Sequence, residues 1–151
     1  MKIEVVHDFE APPEAVLVWV SDLSTFPQWT KVLHRVEMEP SPSDSPRAWQ
    51  VELRGKLGPF ARSKRLRMVQ VPTSDPGHLQ FERRELDGAP HGVWKLDVRV
   101  EQQEPSQRTH LSAVFEYEGR LWSGAIERLL REEIESSKRR LSDLVAGPSR
   151  L

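Results

Sequence analysis

Arg83 is the residue of greatest chemical promise in this chain. It follows Leu79 and Phe81 at two-residue intervals, so in a strand it shares their apolar face. A guanidinium in such a place is costly unless something neutralises it. It can reach a ligand carboxylate, phenolate or enolate, sit at the rim of the strand's cover, or be turned outward by a bulge after Phe81. Glu85 has the same parity, and pairing with it would make Arg83 structural. Two histidines also share apolar faces: His7 alternates with Ile3, Val5 and Phe9, and His34 lies between Val32 and Val36. A neutral imidazole can serve as a general base near pH 7, although a lone histidine on an apolar face is more often a hydrogen-bonded core group. His78, His91 and His110 fall at turns or on outer parity and are expected to be exposed. No two histidines stand four apart on a helix and no H-E-x-x-H occurs, so no metal site is expected. The chain has no P-loop, no G-x-G-x-x-G and no G-x-S-x-G, and no cofactor is expected.

The elements that must position these groups follow from periodicity. Residues 2–10 alternate as a strand, which Ala11-Pro12-Pro13-Glu14 stops. Pro13 opens a short helix over about 13–21 with Val16, Trp19 and Val20 inside, and Ser24 is a candidate cap for a second over Thr25–Gln28. Strands follow at about 31–40, 47–56, 60–71, 77–86, 92–103 and 108–118, separated by turns rich in Pro, Gly, Ser and Asp. Residues 124–146 then form one long amphipathic helix. Its stripe is Ile126, Leu129, Leu130, Ile134, Leu141, Leu144 and Val145, and Glu127–Arg131, Arg131–Glu135 and Glu135–Arg139 stand four apart on its polar side. The fold class is therefore α+β, with a curved seven-stranded antiparallel sheet around a long C-terminal helix and two short helices after the first strand. Inward parity selects Trp49, Met68, Phe81, Trp94, Phe115 and Tyr117 as aromatic or soft residues facing that helix, either as a solid core or as the lining of a pocket.

Bulk properties restrict the partners. A length of 151 residues suits a single domain, 1–151, and the formal charge of −1 exerts no global pull on nucleic acid or membrane. The cluster Arg62-Ser63-Lys64-Arg65-Leu66-Arg67 divides its charges between two strand faces, which fits a solvated sheet better than a nucleic-acid site. Lys138-Arg139-Arg140 lies in the last turns of the long helix, where cations suit the dipole. There are no cysteines and no long apolar run, so a cytoplasmic protein without stable membrane insertion is expected; a homodimer stays open.

The segment Phe9-Glu10-Ala11-Pro12-Pro13-Glu14-Ala15-Val16 with Trp19, then Ser21-Asp22-Leu23 and Pro27-x-Trp29, resembles the START-like helix-grip superfamily. More narrowly it is similar to its bacterial polyketide cyclase/dehydrase and lipid-transport branch. The Leu86-Asp87-Gly88 turn, Gly92 and the terminal helix sit where that family would place them, so the resemblance covers the whole chain. It implies a deep apolar cavity between sheet and helix that binds a small hydrophobic or aromatic molecule, lipid or polyketide-like. The expected ligand-binding residues are His34, Trp49, Met68, Phe81, Arg83, Trp94, Phe115 and Tyr117. The alternatives are an aromatase/cyclase-like enzyme using His34, Arg83 and Tyr117, and a toxin-like regulatory protein acting through a partner.

Overall fold

The computed structural model describes residues 2–42, 44–57, 60–118 and 124–147. Strand β1 (Lys2–Phe9) leads into helix α1 (Pro13–Val20), a 3-10 helix (Leu23–Gln28), then β2 (Leu33–Met38), β3 (Ala48–Leu57), β4 (Phe60–Val71), β5 (His78–Arg83), β6 (Trp94–Gln103), β7 (Arg108–Tyr117) and helix α2 (Gly124–Ala146). All seven strands form one antiparallel sheet in the order β1-β7-β6-β5-β4-β3-β2. The alternation pattern predicts this sheet and its terminal helix, and the resemblance implies the helix-grip arrangement.

Local chemistry explains the joints. Pro13 occupies the first turn of α1, where its missing N–H costs nothing, and Val16 and Val20 bury that helix's inner side. Asp22, rather than Ser24, caps the 3-10 helix: its Oδ1 accepts the Ser24 N–H at 2.8 Å. A carboxylate one position before the helix stands within reach of the orphan N–H two residues on. Gly88 sits at φ +71°, a left-handed turn position open to glycine without strain.

Helix α2 buries Leu130 and Leu141 and half-buries Ile134 and Val145; the side chains of Ile126 and Leu129 lie outside the described residues, as does Trp122. Polar contacts fasten it on both flanks. On one, Glu133 accepts the Lys31 N–H at 2.9 Å and is held by Arg140, whose Nε also donates to the Trp29 carbonyl at 3.2 Å. On the other, His7 Nε2 and Ser142 Oγ lie 2.7 Å apart. Arg140 is thus a docking residue; the helix runs on to Ala146 and its last turn carries no basic side chain, so the 138–140 triplet stands too far from the end to serve the dipole. Glu127–Arg131 pairs as its spacing suggests, at 3.0 Å, whereas Glu135 takes Lys138 as its partner, also at 3.0 Å.

Candidate functional site

Between α2 and the concave sheet face lies a hollow of about 170 Å³ with an almost wholly apolar wall. Strands β1, β3, β4, β6 and β7 supply its floor, and Leu130, Ile134, Ser137 and Leu141 of α2 its roof. The roof explains the space. The stripe of α2 reads Leu130, Ile134, Ser137, Leu141, so a small side chain stands where the helical period calls for a large one. Ser137 is buried and its hydroxyl donates to the Glu133 carbonyl at 2.7 Å, one turn back, which spares the hollow an unsatisfied polar group. The far wall comes from the segment after α1: Phe26 and Trp29 pack at 4.6 Å between ring centroids, and Trp29 Nε1 donates to the Trp19 carbonyl at 3.1 Å.

The six expected aromatic and soft site residues separate into three groups. Met68, Trp94 and Phe115 line the hollow. Tyr117 stands behind them, with ring centroids 5.6 Å from Trp94 and 5.3 Å from Phe115; burial, and then the charge of Glu127, push its phenol above the ordinary value. Trp49 and Phe81 do not reach the hollow. They are 0% and 1% exposed and pack edge to face at 5.6 Å, with Phe26 over Phe81 at 6.3 Å. Trp49 Nε1 donates to Asp22 Oδ1 at 3.1 Å, which draws the indole toward the 3-10 helix and into solid core.

His34 is the clear correction. The β2–β3 register slips between Leu33 and Arg35, and the irregularity leaves His34 exposed while Leu33 enters the wall. A cyclase mechanism built on His34 as the base loses that base. His78 and His110 are likewise not free surface groups: they bond Asp97 at 2.8 Å and Asp8 at 2.6 Å on the outer face. Arg83 faces inward as its parity predicts, opposite Met68 in the β4–β5 ladder, but lies beside the hollow rather than in its wall.

The polar residues that do line the hollow are His7, Thr30, Ser137 and Lys138. His7 and Lys138 also border a surface groove with Glu132, Glu135, Ser136 and Arg139, so they stand at its mouth. Burial, reinforced by the Lys138 charge, lowers the His7 pKa against the opposing pull of Asp8 and Glu135. Sequence reasoning placed His7 inside but missed Trp29, Lys138 and above all Ser137. The gap of seven between Ile134 and Leu141 was the signal for the last.

A family model described as polyketide cyclase/dehydrase and lipid transport matches residues 1–146. The chain belongs to this family. Among solved structures, a protein from Thermus thermophilus is similar at 16% identity, over 99% of this chain and 100% of that one, with TM-score 0.70. A START-superfamily protein from Mycobacterium smegmatis is 15% identical over 96% and 97% of the two chains, with TM-score 0.68. Human StAR-related lipid transfer protein 5 is 12% identical, over 96% of this chain and 75% of that one, with TM-score 0.78. At these identities the likeness is one of fold, and the fold is START-like. No curated protein matches the sequence significantly. No helix among the described residues is long and apolar enough to cross a membrane, and no cluster of three potential metal ligands occurs among them.

Proposed function

We propose that this protein binds a small hydrophobic molecule in the hollow beneath α2, with Met68, Trp94 and Phe115 as its sheet-side contacts and the ring of Trp29 opposite. The hollow itself carries this reading. Interiors normally pack with few voids larger than a water molecule. Sealed and empty, a space of 170 Å³ would cost about 4 kcal/mol at roughly 24 cal/mol per Å³, and with its mouth open the cost is smaller. Filling it with apolar atoms offsets that cost, whereas water gains little from so apolar a wall.

Size narrows the ligand. A cavity of roughly 150 Å³ with such walls accepts benzene, so in this conformation the site suits one ring or a short acyl chain. A polycyclic or long-chain ligand needs α2 to lift from the sheet. The family's lipid-transport and polyketide members fit the same chemistry of apolar burial.

Native mass spectrometry of protein purified from its own host tests the reading, followed by displacement of a lipid dye by single-ring aromatics and short fatty acids. A retained apolar molecule, or saturable displacement with quenching of tryptophan fluorescence, supports it. A protein that is empty as isolated and displaces dye with none of these compounds refutes it.

A further inference from the structure

Beside the hollow lies a group of charges that the apolar reading leaves unexplained. The Arg83 side chain is only 10% exposed, and its buried Nε makes no hydrogen bond. Glu85 is its ion-pair partner at 3.6 Å, as their shared parity allows, but the pair makes no hydrogen bond, and both Glu85 oxygens accept the Arg67 backbone N–H, at 3.0 and 3.4 Å. A second cation joins it. Lys64 lies on the same inner face of β4 as Leu66 and Met68, with Nζ 5.8 Å from the centre of the Trp94 ring. Burial, then the Arg83 charge, lower the Lys64 pKa, and the Glu85 charge opposes them.

The neighbours of these cations are wall residues of the hollow. Arg83 is the ladder partner of Met68, and Lys64 overlies Trp94; both Met68 and Trp94 face the cavity. A guanidinium with an unused buried N–H matches a carboxylate in geometry and charge, and a nearby ammonium supplies a second donor.

We propose that Lys64 and Arg83 hold the carboxylate of an amphiphilic ligand whose apolar part occupies the hollow, so that the protein selects small organic acids over neutral molecules of equal size. This rests on the hollow being a ligand site. It adds the chemical class of the ligand's polar end.

Calorimetric titration with 3-phenylpropionate and 3-phenyl-1-propanol at pH 7 isolates that end, because the two compounds share a ring and chain. The acid should bind at least about tenfold more tightly than the alcohol. Lys64→Met and Arg83→Gln should each abolish most of that preference while leaving alcohol affinity within about twofold. Lys64 is partly exposed and its replacement keeps the apolar stem, so it carries the test even where Arg83→Gln perturbs folding. Equal affinity for the two compounds, unaffected by Lys64→Met, overturns the inference and leaves the apolar site standing. Binding of neither compound removes both. Acetate competing as strongly as 3-phenylpropionate would mean a site for free anions and overturn the amphiphile.

Discussion

Two parts of the inner layer use the same residue types on the same strand parity and reach opposite outcomes. Around Trp49 and Phe81 the aromatic rings interlock and neither reaches the hollow, with Phe26 packed on Phe81 from one side and bordering the hollow from the other. Around Met68, Trp94 and Phe115 they line a void. The difference lies in what covers them. The first group is sealed by the segment after α1, with Asp22 bonding the Trp49 indole and Arg47 reaching the Ser21 carbonyl at 2.7 Å and Gln70 at 2.9 Å. The second is covered by α2, whose roof carries Ser137 in place of a large apolar residue. Whether inward aromatics make core or pocket thus depends on what stands over them: the segment after α1 meets Trp49 and Phe81 directly, while it only borders the space that α2 roofs.

The sharpest way to break this contrast is truncation on each side. Trp49→Ala should cost about 3–5 kcal/mol, the usual loss when a large aromatic is removed from solid core. Phe115→Ala, at a half-buried position already facing a void, should cost at least about 2 kcal/mol less. Urea melts of the two variants provide the comparison, and equal losses would erase the distinction. Next in size is the lock that holds the roof. Glu133→Ala removes the acceptor of the Lys31 N–H and of one Arg140 nitrogen, leaving Arg140 its bond to the Trp29 carbonyl, and should cost about 1 kcal/mol, with faster hydrogen exchange at Lys31.

A smaller effect belongs to the mouth. The His7 pKa is lowered in the folded state, so the unfolded chain binds the proton more readily. Its contribution to stability is complete above the ordinary histidine value and is lost as pH falls from there through the folded-state value. His7→Gln should flatten the dependence of the melting temperature on pH in that window, and an unchanged slope would assign the acid loss to other groups. Asp97 moves the other way in origin. Burial raises it, but the bonds from His78 and Gln80 prevail and hold its carboxyl below the usual range, so its contribution disappears only under more acid conditions.

Strand order, helix placement and the inward faces were legible because alternation and the 3.6-residue period record burial directly. The inward placement of Met68, Trp94, Phe115 and Tyr117 follows from parity alone. The position of His34 does not, since a register slip between Leu33 and Arg35 depends on how β2 meets β3. Nor does the solid packing of Trp49 and Phe81, because it needs Asp22 and Phe26 from an element distant in sequence. The docking role of Arg140 is hidden for the same reason: its partners, Glu133 and the Trp29 carbonyl, come together only in the folded chain.

On the proposed function, the space under Ser137 is there to be filled by a ligand. Titration of ethylbenzene into the wild-type protein and into Ser137→Leu tests it most directly, because the leucine completes the stripe of α2 from within. Saturable binding to the wild type, lost in a variant that melts at the same or a higher temperature, is the predicted result. Undiminished binding to a folded Ser137→Leu protein would contradict it.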